Sequence, residues 1–268
     1  MTELPLTKRG RQPFGVANQA VREAGGVVMA HFRGEKRIEY KGRRDIVTDV
    51  DLLVEEKMIA LLQKEYPSFG IITEESEEIA GDSPYTWIID PLDGTRNFAR
   101  GIPHFSVALA LTQGDEVLLG IVYDPLREEF FWAERGGGAF LNNYPITVSK
   151  KTSLEASLIG FDMGYDAERG REALDVASAL LPGVQSVRVM GSAALGLAYA
   201  ACGRLDLYLH LCLSPWDLAS GILLIDEAGG RISETDGKPI SIRSRRIIAT
   251  SKAIHEEFMG RVRGSALK

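Results

Sequence analysis

The sequence predicts an α+β fold for its first part and an α/β fold for its second. Three observations support this: two amphipathic helical patterns open the chain, a run of strand-like apolar segments follows, and strand and helix patterns alternate after about residue 150. Consecutive strands with separate helices are typical of α+β folds, whereas regular alternation is typical of α/β folds. We therefore expect two parts, residues 1–150 and 151–268, that form one compact unit with a cleft where they meet.

The first part begins with two helices. Apolar residues at helical spacing predict a helix from about Phe14 to Phe32. A second helix is predicted to start near Thr48, which can act as its N-cap, and to end before Tyr66-Pro67. Short runs of apolar and aromatic residues then predict strands at Ile71–Thr73, Trp87–Asp90, Ser106–Thr112, Val117–Tyr123 and Glu129–Ala133.

The second part alternates between the two kinds of pattern. Strands are predicted at Ser157–Phe161, Ser186–Val189 and Leu205–His210, with short strands near Ile232 and Ile247. Helices are predicted between them at Glu168–Leu181, Ser192–Cys202 and Trp216–Ala228. This order indicates strands joined by crossover helices.

Charge and apolar patterning exclude several classes of protein. The chain has 31 Lys and Arg against 37 Asp and Glu, a net charge of −6, which disfavours nucleic acids and anionic membranes and suits cations or substrates that carry them. No apolar run approaches the roughly 18 residues of a membrane span, and the N-terminus lacks the apolar core of a secretion signal. Cys202 and Cys212, the only cysteines, form no C-x-x-C pair. We therefore expect a cytoplasmic protein with reduced thiols.

Two acidic residues follow the apolar strand in the stretch W-I-I-D-P-L-D-G-T-R-N-F. Asp90 and Asp93, three residues apart at the carboxyl end of a strand, can converge on one point. The backbone N–H groups of Gly94 and Thr95 would open a turn or helix start that favours anions. A divalent cation on the acids beside a phosphate on the amides is one interpretation. The other is a plain turn, because D-G is a common hairpin signal.

Further acidic residues bear on this choice. Glu74 follows an apolar strand, Asp217 follows Trp216 at a helix start, and Asp45 and Asp51 flank another short apolar segment. Each alone is explained by a helix cap or a solvated face. Glu74, Asp90, Asp93 and Asp217 gathered together would repel one another unless they bound cations. Oxygen ligands without a paired His or Cys set favour Mg²⁺ or Mn²⁺ over zinc.

Three blocks of the sequence together carry a resemblance to a known family. They are D-I-V-T-D-V-D at Asp45–Asp51, the W-I-I-D-P-L-D-G-T-R-N-F stretch, and P-W-D-L-A-S-G at Pro215–Gly221. In this order they resemble the inositol monophosphatase family. The resemblance implies a layered αβαβα sandwich that hydrolyses a small phosphate monoester with Mg²⁺, which Mn²⁺ can replace. It also implies attack by a metal-activated water without a covalent intermediate.

The resemblance also implies a set of metal ligands. Glu74 and Asp90, with the Leu92 carbonyl, match the ligands of a first ion. Asp90, Asp93 and Asp217 match those of a second, and a third, weaker ion would use Glu74 and water. We thus expect two or three ions, inhibition by lithium at the second of them, and a homodimer.

Catalytic and substrate-binding roles follow in the same way. Thr95, paired with Asp51, matches the position that orients and helps to deprotonate the attacking water, and Glu74 belongs to the same catalytic group. The residues that match phosphate-binding or substrate-binding positions are Asp93, Gly94, Thr95, Gly191 and Ala193.

Three positions depart from the family pattern. Inositol-specific members usually carry a Glu seven residues before the aspartate of the W-D block, whereas this chain has His210, which offers fewer hydrogen-bond acceptors. We therefore predict broad specificity, although a structural role for this His is an open alternative. Arg96 stands where the family usually has an uncharged residue, so it either binds a second phosphate or carboxylate of the substrate or forms a surface ion pair. Lys41 resembles a family lysine near the metals, displaced by one residue.

The partner is therefore expected to be a small phosphorylated metabolite. Inositol monophosphate, fructose 1,6-bisphosphate, NADP, histidinol phosphate and a 3′-phosphorylated adenosine nucleotide are the candidate substrates. A haloacid-dehalogenase-type phosphatase is disfavoured, because the spacing of D-P-L-D-G-T is one residue too long for its motif. A regulatory protein that keeps the fold without catalysis is the alternative of another class.

Overall fold

The computed structural model describes residues 4–42 and 45–262. The helices of these residues are α1 (Pro13–Phe32), α2 (Asp49–Glu65), α3 (Thr95–Ala99), α4 (Ala167–Leu180), α5 (Ala193–Ala201), α6 (Pro215–Glu227) and α7 (Lys252–Val262). The strands of the first part are β1 (Ile38–Tyr40), β2 (Ile46–Thr48), β3 (Gly70–Thr73), β4 (Tyr85–Asp93), β5 (Ser106–Gln113), β6 (Glu116–Asp124), β7 (Glu129–Glu134), β8 (Gly138–Leu141) and β9 (Tyr144–Pro145). The later strands are β10 (Leu158–Asp162), β11 (Ser186–Val189), β12 (Leu207–His210), β13 (Arg231–Glu234) and β14 (Ile247–Thr250).

Two large sheets form the frame of the molecule. The first has the order β3-β4-β5-β6-β7-β8-β9 and is antiparallel apart from the β3–β4 pair. The second has the order β11-β10-β12-β14-β13, with β10 parallel to both of its neighbours and the other pairs antiparallel. The chain completes the first sheet before it begins the second, which agrees with the predicted change of pattern, and the boundary at residue 150 stays a prediction.

Helices cover both faces of both sheets. Helices α1 and α2 pack on one face of the first sheet, whereas α6 packs on its other face. Helix α5 packs beside α6 and contacts β10, β12 and β14, so this helix pair lies between the sheets. Helices α4 and α7 cover the outer face of the second sheet. The layers therefore alternate as α, β, α, β, α, and the predicted sandwich is confirmed.

Strand β4 shows why its sequence is apolar throughout. Trp87 and Ile89 pack into the core beneath α1 and α2, whereas Ile88 packs into the core around α5 and α6. A strand with both faces buried is hydrophobic at consecutive positions. Strand β4 therefore runs between two helix layers, and its polar residues Asp90 and Asp93 follow at its carboxyl end.

Helix α6 and strand β6 approach closely at a glycine. A Cβ atom on Gly120 would lie 2.8 Å from the carbonyl oxygen and 3.0 Å from the Cα of Ser220. Backbone atoms of a central helix cannot rotate away, so the two layers would have to separate.

We expect Gly120→Ala to lower the free energy of unfolding by about 1–3 kcal/mol, as overpacking does in other cores. Chemical denaturation measures it. Gly26→Ala in α1 is the matched control, because nothing lies within 4 Å of the position that an added Cβ would occupy there and the change favours a helix. Equal stability losses in the two variants would contradict this account.

The main helices and strands agree with the sequence-based expectations to within a few residues, and the differences have local causes. Strand β4 continues past Pro91 to Asp93 through an irregular register, although its end was predicted at Asp90. The pair β1–β2 was missed because β1 has only three residues, all of them exposed. Helix α7, the short α3 and the short strands β8 and β9 were also not predicted. In the described part of the chain, no helix combines the length and apolar character that a bilayer crossing needs.

Candidate active site

Three carboxylates meet where β4 ends and α6 begins. Asp90 and Asp93 lie on β4, and Asp217 lies in the first turn of α6. One carboxylate oxygen from each lies within 4.8 Å of the other two. In a regular strand, residues three apart face opposite sides of the sheet, so the irregular register between Asp90 and Asp93 allows both to reach one point.

The start of α6 fixes the third carboxylate. Ser214 is the N-cap, Pro215 follows at the first helical position, and Asp217 accepts a hydrogen bond from the Ser214 backbone N–H at 2.6 Å. This is a capping box with an Asp at its third position, and proline at the first position favours the helix start. The local sequence therefore explains the cap, and only the neighbouring strand shows that the same carboxylate joins a cluster.

The cluster is electrostatically strained without a cation. Burial, and then repulsion from Glu74, Asp93 and Asp217, raises the pKa of Asp90 well above its usual value. Burial and repulsion from Asp93 likewise raise the pKa of Asp217. Asp90 is 1% exposed, and the Leu92 N–H at 3.1 Å is its one hydrogen-bond donor among the described residues. Buried oxygen ligands of this kind suit Mg²⁺ or Mn²⁺, so the residues present fit a divalent cation.

Asp93 also joins the two halves of the fold. Its carboxylate accepts hydrogen bonds from the Ser192 hydroxyl and from the backbone N–H groups of Ala193 at 3.0 Å and Ala194 at 2.9 Å, at the start of α5. Its Oδ2 also accepts from Ser106 at 3.2 Å. Oδ1 therefore accepts a single bond and keeps a site for a cation. Burial still raises the pKa of Asp93, although these donors oppose the rise.

Glu74 lines the cleft but lies outside the group of three. Its Oε1 is 3.3 Å from Nζ of Lys41, which also bonds Glu75 at 2.6 Å. Burial raises the pKa of Glu74, and repulsion from Asp217 adds to the rise. Burial alone would lower the pKa of Lys41. The nearby Glu74 and Glu75 carboxylates raise it by more, so the pKa of Lys41 lies above its usual value. Lys41 thus neutralises an acidic edge of the site.

Glu55, which sequence reasoning missed, holds the loop that carries Glu74. This carboxylate is 2% exposed and accepts hydrogen bonds from the hydroxyls of Thr73 and Ser76 and from the Glu75 N–H at 2.9 Å. A signal was present, because Glu55 falls on the buried face of α2. A charged residue at such a position needs a partner.

Thr95 and Asp51 form a buried pair beside the cluster. The Thr95 hydroxyl lies 2.9 Å from both Oδ1 of Asp51 and the Leu92 carbonyl oxygen. The hydroxyl has one proton, so it bonds one acceptor at a time. The Asp51 side chain also caps α2 through Thr48, whose N–H donates to Oδ2 at 2.9 Å. Burial raises the pKa of Asp51, and hydrogen bonds from Thr48 and Thr95 oppose the rise.

A cleft of about 560 Å³ opens over the carboxylates. The predicted site residues that line it are Lys41, Glu74, Asp93, Gly94, Arg96, Gly191, Ala193, His210 and Asp217. Asp51, Asp90, Leu92 and Thr95 are buried beside it. The structure thus brings the predicted residues of both halves of the chain to one place.

Asp162, a further residue missed by sequence reasoning, shapes the wall of the cleft. It accepts hydrogen bonds from the backbone N–H groups of Gly191 at 2.6 Å and Met190 at 3.0 Å, and from the Tyr208 hydroxyl at 2.8 Å. Burial raises the pKa of Asp162 to about 6. Gly191 has φ +82°, which favours glycine, and its turn leads into α5.

Arg96 has no carboxylate partner within 4 Å among the described residues, so the predicted surface ion pair is not seen in this part of the chain. Its guanidinium instead lies 4.3 Å from the ring centre of Tyr165, and Nη2 donates to the Gly164 carbonyl at 3.3 Å.

Buried carboxylates at a strand end and a helix start, within a layered αβαβα fold, can hold the divalent cations that a metal-dependent hydrolase uses. The model of the inositol monophosphatase family matches residues 11–266. The chain belongs to this family of Mg²⁺-dependent phosphoric monoester hydrolases.

Similar proteins carry two kinds of name. The Nus factor SuhB of Haemophilus influenzae is 39% identical over 93% of this chain and 95% of its own length. Inositol monophosphatase 1 of Solanum lycopersicum is 38% identical over 92% of this chain and 93% of its own. Among solved structures, the suppressor protein SuhB of Bartonella henselae is 36% identical with a TM-score of 0.90, and covers 94% of this chain and 98% of its own.

Proposed function

We propose that Asp90, Asp93 and Asp217, with Glu74 and the Leu92 carbonyl, hold the Mg²⁺ ions that this hydrolase needs. The observation that carries the proposal is the buried group of three carboxylates, whose mutual repulsion a divalent cation would offset. Two or three ions, with Mn²⁺ as a substitute, remain the expectation. When bound, such ions polarise the phosphate and stabilise the charge that develops on the leaving oxygen.

The chain's own residues position the water and the phosphate. When the Thr95 hydroxyl donates its hydrogen bond to Asp51 rather than to the Leu92 carbonyl, its lone pairs can accept a hydrogen bond from the attacking water. The water is thereby oriented towards phosphorus, and Asp51 is the base behind it. Gly94 and Thr95 remain the predicted phosphate contacts, and Gly191 and Ala193, which line the cleft, remain the predicted substrate contacts.

Phosphate release from a panel of esters, measured with and without Mg²⁺, tests this function. The panel contains inositol, sugar and nucleotide phosphates, ranked by kcat/KM. We expect release that depends on Mg²⁺ and millimolar lithium to inhibit it. Failure to hydrolyse any ester with Mg²⁺ would overturn the proposal, whereas activity without lithium inhibition would overturn only the second-ion assignment of Asp93 and Asp217. A strong preference for inositol 1-phosphate would contradict the predicted broad specificity.

A second candidate is a regulatory role beside catalysis, because several similar proteins are named Nus factor SuhB. Asp90→Asn separates the two roles better than Asp93→Asn. The first change keeps the Leu92 hydrogen bond, whereas the second disturbs the start of α5. If the cellular phenotype of the unmodified protein is retained by the Asp90→Asn variant, the protein has a role that does not depend on catalysis. The expected homodimer and cytoplasmic location, and the absence of a nucleic-acid or membrane partner, stay predictions.

A further inference from the structure

One wall of the cleft is built from a close contact between two segments. Gly164, in the loop after β10, has φ +60°. A Cβ atom there would lie 3.2 Å from Cβ of Cys212 and 3.3 Å from Cε1 of His210. All three residues line the same cleft as Asp93 and Asp217. This wall therefore borders the same cleft as Gly94, a predicted phosphate contact, and is open to the leaving group of an ester bound there.

The imidazole in this wall is a hydrogen-bond donor. The backbone N–H of Cys212 donates to Nδ1 of His210 at 3.1 Å, so Nδ1 carries no proton and the neutral ring has its proton on Nε2. The side chain is 4% exposed, and burial lowers the pKa of His210 to about 4, so the ring is neutral at pH 7. No described residue accepts a hydrogen bond from Nε2–H. A Glu at this position would accept hydrogen bonds from hydroxyls, whereas His210 offers one donor.

Two arginines border the same wall. Arg96 bonds the Gly164 carbonyl and lies over Tyr165, and Arg245 donates from Nη2 to Sγ of Cys212 at 3.4 Å. Both are exposed and line the cleft. A guanidinium has five N–H donors, so each arginine keeps most of its donors free.

Among the described residues, these two cations form no direct ion pair in this acidic cleft, and Arg245 is attracted only over a longer distance by Asp166 and Asp217. Neither Arg96 nor Arg245 has a carboxylate oxygen within 4 Å among the described residues, whereas Lys41 is paired with Glu74 and Glu75. The acid Asp166, which also lines the cleft, caps α4 through the backbone N–H groups of residues 168 and 169. The wall therefore offers the donors of the two charged guanidinium groups and Nε2–H of His210.

Resting on the proposed phosphatase function, we propose that the leaving group of the substrate carries a second anionic group, a phosphate or a carboxylate, which Arg96, Arg245 and Nε2–H of His210 bind. Guanidinium groups match both anions with paired hydrogen bonds. A neutral polyol would offer these charged donors no anion to pair with. The second anion is thus the feature that distinguishes the substrates of this chain from inositol monophosphates.

Matched pairs of esters test the proposal in the Mg²⁺-loaded protein. Sorbitol 6-phosphate and 6-phosphogluconate differ by a carboxylate, and fructose 1-phosphate and fructose 6-phosphate each lack one phosphate of fructose 1,6-bisphosphate. We expect kcat/KM to be about tenfold or more higher for the doubly anionic member of at least one pair. The pair that shows the preference identifies the anion as carboxylate or phosphate.

The ratio of kcat/KM within a pair is then measured in variants. Arg96→Gln and Arg245→Gln should each lower this ratio by about threefold, and the double variant should bring it close to one. His210→Glu replaces the donor by a charged acceptor and should lower the ratio as well. Arg100→Gln and Arg243→Gln are the matched controls, because both arginines are exposed neighbours that do not line the cleft. Their ratios should match the unmodified protein.

The outcomes separate the two proposals. Hydrolysis without preference in either pair overturns the second-anion site and leaves the phosphatase function standing. A preference that survives the double variant, or that falls equally in the controls, also overturns the assignment to Arg96 and Arg245. Absence of hydrolysis of every ester with Mg²⁺ overturns the proposed function and this inference with it.

Discussion

Asp90→Asn is expected to lower kcat at least about 10³-fold and to stabilise the protein in the absence of Mg²⁺. The change removes one charge from the group of three carboxylates but keeps the side-chain volume, and the amide oxygen can still accept from the Leu92 N–H. Loss of several kcal/mol of charge stabilisation by the cations accounts for the rate effect. Relief of an uncompensated buried charge should raise the metal-free unfolding free energy by about 1–3 kcal/mol.

Thermal unfolding with and without Mg²⁺ measures the expected change in stability. A cation that binds only the folded state raises Tm by mass action, so the unmodified protein should gain stability with Mg²⁺ and the variant should gain little. Asp124→Asn is the matched control, because Asp124 is equally buried but is paired with Arg127 at 2.7 Å. That control should lose stability and keep its activity. An Asp90→Asn protein that behaves like the control would contradict the cation site.

Individual helices and strands could be predicted from the sequence more reliably than the place where their functional side chains come together. Helical spacing in α1 and the uninterrupted apolar run of β4 are local patterns, and each predicts its own element. Asp217 is different, because its hydrogen bond with the Ser214 N–H already accounts for an Asp at this position of a helix start. Its second role depends on the packing of α6 against the first sheet, which residue spacing does not encode. Only the combined motifs, read as a family resemblance, predicted the cluster.

The residues that were missed share a physical reason. Glu55 and Asp162 are buried acids whose hydrogen-bond partners are backbone N–H groups and hydroxyls brought close by tertiary structure. No motif marks them. Arg96 shows the converse, because its unusual position was visible in the sequence but its contact with Tyr165 was not. Tyr165 lies 69 residues further along the chain, so only the approach of the β10–α4 loop to α3 creates the pair.

Thr95→Val is expected to lower kcat by about 10²–10⁴-fold, the range of general acid–base catalysis, with a much smaller change in KM. The hydroxyl is buried and lies 2.9 Å from Oδ1 of Asp51, so the isosteric valine keeps the packing and removes only the path of the proton. The unpaired Asp51 oxygen should also cost about 1–3 kcal/mol of stability, which denaturation measures separately. Steady-state kinetics well below Tm therefore report the chemical step.

Thr95→Ser distinguishes this role from a structural one. Serine keeps the hydroxyl and loses a methyl group in a buried position, so it should restore most of kcat while remaining less stable than the unmodified protein. A merely structural threonine would show the reverse order, with valine, which preserves the shape, closer to full activity than serine. A rise confined to KM, with kcat unchanged, would place Thr95 in substrate binding rather than in activation of the attacking water.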